Sequence, residues 1–465
     1  MICCSARRPK RQLFVKRDHV TGANFLSATD GEPFNPSPNA VLILTLRMGF
    51  GHLRIAHAVA SWLDGREAYV YDLLATDTPE SESLKRYEWI YSKFSKVASA
   101  SGGPIEWAFD KFLTSGDASA QCVPACPPPA RPAPTRRACP PHPLSAALGR
   151  NKLRDVALRL KPLTDGIPLD ITVVATHAVA GHIAVEAGFR KVINLVVDNY
   201  AQHFNAVPGA INAVQAGALG AAYAKLGYQT VLAGHWADRR SAEGIHTDTA
   251  RRMKRIHSKA VRRLVIAIGG AGAQATFVIE LLAALQPGMA AKTWHVVLNC
   301  GDAKETQTRI QAAAATLRGV EVQVLDTWDP ISQIWAKDNE EQSCALTLIC
   351  VNDRTQAIAT TDILIPRSDM ACFKPGELAF IPAPKLLIRR VGAHEAASAV
   401  RAAELGDATA ELRTKEDFEK TIHLVETTDL LSQMNRAVVA NEDHYMGCKR
   451  ICHLLQQNNG VKNGN

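Results

Sequence analysis

The sequence predicts an α/β fold of two doubly wound lobes with a cleft between them. Three observations carry that expectation. Continuous apolar runs such as AVLILTL (40–46) and RRLVIAI (262–268) recur between amphipathic stretches, which is how strands buried on both faces of a parallel sheet read. The alternation of strand and helix occurs twice, before and after a polar, basic segment at 237–260. Each half also opens with a strand that runs into a glycine-spaced turn and then a helix.

In chain order, residues 1–39 are basic and lack the apolar core of a secretory signal, so they read as a disordered tail. A first lobe is expected over 40–236. It opens with the strand 40–46, the turn RMGFGH (47–52), and a helix with apolar positions Leu53, Ala56, Val59, Ala60 and Leu63. REAYVYDLL (66–74) follows as a strand, and the stretch 84–98 mixes aromatics with lysines as an amphipathic surface helix would. Residues 115–147 carry too many prolines for a helix or an interior strand and are expected to be a disordered insertion. Cys122, Cys126, Cys139 and His142 within it have zinc-ligand chemistry, but nothing around them suggests a closed tetrahedral site, so metal is not expected there. DITVVAT (170–176), KVINLVVDN (191–199) and QTVLAGHW (229–236) read as further strands, with a short helix at 177–188.

The second lobe is expected over 237–436, with strands at RRLVIAI, TWHVVLNCGD (293–302), VEVQVLDTW (320–328), TTDILIPRS (360–368) and APKLLIRR (383–390). Residues 337–354 read as an insertion, and 437–465 as a C-terminal helix and tail. The bulk composition fits this plan. A chain of 465 residues, 47% hydrophobic and 21% charged, has room for two or three domains. No apolar run approaches the roughly 20 residues of a membrane-spanning helix. The net charge of +8 suits anionic substrates or an acidic membrane surface, and no motif points to nucleic acid. Most of the 11 cysteines stand singly in apolar stretches, as expected of core residues in a reducing, cytoplasmic compartment.

Candidate chemistry gathers where strands end. Gly49 and Gly51 suit a tight turn, and His52 sits at the start of a helix, where unpaired N–H groups favour a polar or anionic ligand. Asp198 follows a buried strand, with His203 five residues on, so a histidine base oriented by a carboxylate is one reading of that pair. His177 and His182 read as structural. In the second lobe, Gly269, Gly270 and Gly272 form a turn able to bring backbone N–H groups to a phosphate, with Gln274 opening the next helix. The spacing fits neither a Walker loop nor a dinucleotide fingerprint. The loop PRSDMACFKPG leads to Glu377, and His394 and Glu395 begin another helix beyond another strand. Glu377 alone could simply stabilise a helix N-terminus. Three such turns along one sheet edge argue for a site.

With these motifs in hand, the chain resembles the GT-B glycosyltransferases, two Rossmann-like lobes around a cleft. The resemblance is to the branch of the bacterial lipid-II-forming transferases and plant-type monogalactosyldiacylglycerol synthases. It rests on GFGH (49–52), GGAGAQ (269–274), the segment 362–388 and HEAASAVRAAELG (394–406), and spans 40–436 weakly. It implies that Gly269, Gly270, Gly272 and Gln274 meet the phosphates of a nucleotide-sugar, that Glu377 holds its ribose, and that His394 and Glu395 contact the sugar. Arg367, Ser368 and Lys374 complete the implied donor side, and His52 lies on the acceptor side with Gly49 and Gly51. The loop before Glu377 is about two residues longer than the family form, and RMGFGH has fewer adjacent glycines than usual.

The expected function is therefore transfer of a sugar from a nucleotide-activated, UDP-type donor to a hydroxyl acceptor, either a small molecule or a lipid reached at a membrane face. Inversion at the anomeric carbon is expected, with no metal or other cofactor and with His52, or His203 with Asp198, as base. A catalytically inactive nucleotide- or partner-binding protein is the alternative, and a sugar-nucleotide epimerase of the same fold a third reading.

Overall fold

The computed structural model describes residues 11–86, 153–337 and 344–457, apart from residues 48, 64, 77, 83, 270, 271, 273, 391, 393 and 394. The proline-rich stretch, most of the aromatic–lysine stretch and the C-terminal tail beyond 457 lie outside the described residues.

The first lobe is built on β1 (Phe14–Arg17), β2 (Asn24–Ser27), β3 (Glu32–Pro33), β4 (Val41–Thr45), β5 (Ala68–Asp72), β6 (Thr172–Ala175), β7 (Lys191–Leu195), β8 (Ile211–Val214) and β9 (Thr230–Leu232). They form one sheet in the order β3-β1-β2-β5-β4-β6-β7-β8-β9. From β2 to β9 every pairing is parallel, while β1 runs antiparallel to β2 and β3. The expected N-terminal tail is thus corrected in part. Residues 14–33 extend the sheet, because Leu13 and Leu26 find burial against the outer face of β5 and β4 that a basic, apparently unpatterned segment does not advertise.

The second sheet takes β10 (Arg262–Ala267), β11 (Trp294–Asn299), β12 (Val322–Leu325), β13 (Leu346–Ile349), β14 (Met370–Phe373) and β15 (Lys385–Leu387), all parallel, in the order β12-β13-β11-β10-β14-β15. Two expectations fail here for one reason. TTDILIPRS is not a strand: Arg354–Arg367 is a helix capped by Asp353, whose carboxylate accepts the Gln356 N–H at 2.8 Å. The expected insertion at 337–354 in turn contains β13, whose four buried residues lie between β11 and β12. The β-branched run Thr360–Ile365 favours a strand locally, but Ala357, Ile358, Thr361, Leu364 and Ile365 recur at helical spacing and pack inward.

Both sheets are covered on both faces, and one hydrophobic cluster is continuous from Val41, Ile43 and Leu53 of the first lobe to Val265, Val297 and Phe373 of the second. The final helix, Gly447–Gln457, adds Cys448, Ile451, Cys452 and Leu455 to that cluster and packs on α1 (Gly51–Trp62). The chain therefore crosses back to the first lobe at its end. Arg450 donates to the Ala233 carbonyl at 2.7 Å, and Gly447 N–H to that of His235 at 3.0 Å.

Candidate functional site

In a parallel sheet, ligands settle outside the carboxyl ends of the strands where the strand order reverses. In the first lobe this point lies at β4, flanked by β5 and β6; in the second it lies at β10, flanked by β11 and β14. The residues leaving these strand ends meet each other. Phe50 packs its ring against Gly301, and the Glu377 carboxylate reaches Gly51 so closely that a Cβ there would stand 2.8 Å from Oε2. The absence of a side chain at Gly51 thus leaves room for the Glu377 carboxylate across the lobes, and a Cβ there would make that side chain shift. Gly49 takes a φ of 92° in the turn before it.

His52 is the second residue of α1, a helix that begins at Phe50 with no side-chain cap and no acidic residue in its first turn. Glu377 brings a carboxylate to that uncapped, partially positive end from the other lobe. His52 is partly buried, and its Nδ1 lies 2.7 Å from the carbonyl oxygen of Thr176. A carbonyl only accepts, so Nδ1 carries the proton and Nε2 presents a lone pair. Thr176 is itself fixed: its hydroxyl donates to Thr45 Oγ1 at 2.8 Å and lies 3.0 Å from the His52 carbonyl. Burial lowers the His52 pKa below its ordinary value of 6.5, against the hydrogen bond to Thr176 and the opposing charges of Asp198 and Glu377, so the ring is neutral at pH 7.

His177, read from sequence as structural, stands beside it. Its ring lies edge-on to that of His52, centroids 4.4 Å apart, and Nδ1 accepts the Val179 N–H at 3.1 Å to cap the helix Ala178–Ala187. Burial keeps this ring neutral too, so its proton is on Nε2. The two histidines are complementary tautomers, one offering a lone pair and the other an N–H. The signal was present in THAVAGH, but a histidine after a strand is ambiguous until the strand order puts β6 beside β4.

Asp198 and His203, expected as a dyad, are hydrogen-bonded to other partners. Asp198 accepts from Asn205 at 3.0 Å, whereas a 3₁₀ turn over His203–Asn205 directs His203 inward to the Tyr228 hydroxyl at 3.2 Å. Asp198 acts on His52 instead, through its charge.

On the second lobe, Gly269 follows β10, and Lys374 Cε lies 3.6 Å from where its Cβ would be. Gly272 has a φ of 63°, and a Cβ there would overlap the Thr306 hydroxyl, so this turn admits only glycine without displacement. Gln274 donates to the Arg389 carbonyl at the start of the 16-residue helix Ala275–Ala290. Arg309 donates to Thr276 Oγ1 at 2.9 Å, and the Arg389 guanidinium sits 5.4 Å from the Phe277 ring centre, so two arginines not foreseen from sequence flank that helix start. Lys374 is ion-paired with Glu395, which is buried. Glu377 begins a 3₁₀ turn, with Arg54 Nε 3.8 Å from its carboxylate; Arg54 is also ion-paired with Asp362. Gly270 and His394 lie outside the described residues.

Arg367 and Ser368 do not belong to the site. Because 354–367 is a helix, they lie before β14, at the amino end of the strand that Lys374 follows at its carboxyl end. Arg367 donates to the carbonyls of Ser332 and Ile334 at 2.7 and 3.0 Å, and the Ser368 hydroxyl to Ile365 at 2.8 Å. Among the described residues no group of three His, Cys, Asp or Glu side chains is arranged to hold a metal ion, and no helix is long and apolar enough to cross a membrane.

Residues 14–230 match a family described as a domain of unknown function (DUF6937), and residues 227–456 match a second, domain of unknown function (DUF6938). No curated protein matches the sequence. Among solved structures, the chain is similar to UDP-GlcNAc 2-epimerase from Neisseria meningitidis bound to UDP-GlcNAc, at 10% identity and a TM-score of 0.44, covering 90% of this chain and 99% of that one. It is also similar to a UDP-forming α,α-trehalose-phosphate synthase from Burkholderia vietnamiensis, at 11% identity and a TM-score of 0.40, covering 90% and 100%. The calicheamicin glycosyltransferase CalG4 matches at 13% identity and a TM-score of 0.36, covering 91% and 99%. The fold itself, two parallel α/β lobes closing on a cleft, is the one the sequence predicts.

Proposed function

We propose that the protein is a glycosyltransferase that moves a sugar from a nucleotide-activated, UDP-type donor to a hydroxyl of a small-molecule or lipid acceptor. The observation that carries this reading is His52. Its proton is fixed on Nδ1 by the Thr176 carbonyl, leaving Nε2 as a base at the point where the uncapped end of α1 meets Glu377 and the field of Lys374. In this reading the donor diphosphate lies on the Gly269–Gly272 turn and the start of the helix Ala275–Ala290, with Lys374 supplying positive charge as the diphosphate departs. His52 Nε2 takes the acceptor's proton as its oxygen attacks the anomeric carbon, and the configuration inverts. His177 Nε2–H is suited to hold that same oxygen as it gains charge. Helix dipole, backbone and lysine supply the stabilisation, so transfer is expected to survive a chelator.

A second reading has an observation in its favour. The two carboxylates expected on the donor each face a cation of the protein, Glu377 with Arg54 and Glu395 with Lys374, as in a protein that binds a nucleotide without turning it over.

The test is thermal stabilisation by UDP, GDP, ADP, TDP and CMP on the wild type and on Gly272→Ala. A nucleotide at a hundredfold its Kd adds about 2.7 kcal/mol to the folded state. Stabilisation by one nucleotide, lost in the variant, supports the donor site; no stabilisation by any refutes it. Incubation with UDP-sugars then separates the readings by NMR: transfer to an added acceptor, or to water in its absence, releases UDP, epimerisation changes the sugar without release, and passive binding does neither.

A further inference from the structure

Cys300 and Cys350 play no part in the site described above, yet they are placed together by the fold. Cys300 directly follows β11 and Cys350 directly follows β13, and the two strands are paired in register through Asn299 and Ile349. The Cys300 N–H donates to the Ile349 carbonyl at 3.0 Å, so the pairing continues up to the cysteines themselves. Neighbouring strands run about 4.8 Å apart, within the roughly 4.4–6.8 Å between Cα atoms that a disulfide spans. Both side chains belong to the same buried cluster on one face of the sheet, and the Cys300 thiol donates to the Leu298 carbonyl at 3.7 Å. Gln311 Nε2 donates to the Cys350 sulfur at 3.3 Å. The neighbouring Cys300 thiol and Gln311 pull the Cys350 pKa down to about 7 against its burial, while the Cys350 sulfur and burial push that of Cys300 well up. Cys350 is also the more accessible of the two, at 6% against 1% exposed.

We propose that Cys350 and Cys300 form a peroxide-reactive dithiol, in which Cys350 is the attacking sulfur and Cys300 the resolving one. The Cys350 thiolate attacks one oxygen of hydrogen peroxide; the O–O bond breaks, and hydroxide leaves and takes a proton to become water. Cys350 is then a sulfenic acid. Cys300 loses its proton and attacks the Cys350 sulfur; the S–O bond breaks, and the oxygen departs as a second water. Two thiols and one peroxide give one disulfide and two waters.

The link would join two loops that are already stitched together on the donor side of the cleft. Gln307 donates to the carbonyls of both Gly301 and Val351 at 2.8 Å, Arg354 is paired with Asp302 at 2.9 Å, and Gly301 carries the contact with Phe50 of the first lobe.

The test treats the native full-length protein with stoichiometric hydrogen peroxide, blocks free thiols with N-ethylmaleimide, and maps unreduced peptides by mass spectrometry. The expected product is a linked peptide pair containing Cys300 and Cys350. In Cys300→Ser, Cys350 should be trapped by dimedone as the sulfenic acid; in Cys350→Ser, Cys300 should remain alkylatable. Recovery of both cysteines unlinked from the oxidised wild type overturns the proposal, as does a link that forms only after unfolding. Preferential trapping of Cys300 over Cys350 overturns the assignment of roles.

Discussion

The helix that places His52 in the cleft carries a second histidine, and its burial sets a pH dependence that can be measured. His57 lies five residues on, about 140° further round α1, and its ring meets Phe25 of β2 edge-on with centroids 5.6 Å apart. It is 8% exposed, and among the described residues neither ring nitrogen has a hydrogen-bond partner. Burial lowers its pKa from 6.5 to about 4; the Asp18 charge opposes this and the Arg54 charge assists it. Above pH 6.5 the ring is neutral whether the chain is folded or not. As the pH falls below 6.5, the unfolded chain takes a proton that the folded one refuses, so stability is lost until about pH 4. At pH 4.5 that loss is about 2.5 kcal/mol from this residue. His57→Leu removes both the titration and the unpartnered nitrogens. Urea unfolding at pH 7 and pH 4.5 should show the wild type losing roughly 2 kcal/mol more than the variant. The other buried histidines are common to both proteins and cancel. Equal losses would refute the reasoning, since they would mean that His57 reaches water or a partner in the folded state.

Two further outcomes test the site and its frame. His52→Gln should abolish sugar transfer while leaving stabilisation by the preferred nucleotide in place, because the base stands on the acceptor side; loss of nucleotide binding in that variant would place His52 with the donor instead. Lys385, fully buried, pairs with Asp407 at 2.7 Å and donates to the Ile381 carbonyl at 2.9 Å, while Asp407 accepts from Tyr445. Asp407→Ala leaves that ammonium buried without its carboxylate and should cost about 3–5 kcal/mol, seen as a lower unfolding midpoint; a shift within the noise would mean that water reaches Lys385.

The β-strands with continuous apolar runs, AVLILTL, DITVVAT, RRLVIAI and TWHVVLNC, were legible because burial on both faces favours apolar side chains on successive residues rather than alternate ones. The glycine turn and His52 were legible because glycine and an unpaired helix start are local properties. The helix 354–367 was not, since Thr360–Ile365 carries strand propensity and only packing against the sheet selects the helical period. That single exchange of helix for strand moved Arg367 and Ser368 from the expected donor side to the amino ends of the strands, and hid β13 within an apparent insertion.

What the sequence determined alone was the chemistry available at each strand end: His52, His177, Gly269, Gly272, Lys374, Glu377 and Glu395. What only the tertiary structure decided was which of these groups meet. The order of strands brings Thr176 and His177 beside His52, and closure of the lobes brings Glu377 to Gly51, while Asp198 and His203, only five residues apart, turn to different partners. The physical reason is that side-chain type is fixed residue by residue, whereas proton position, charge partner and burial depend on contacts between residues more than 100 positions apart, as for His52 and Thr176, separated by 124.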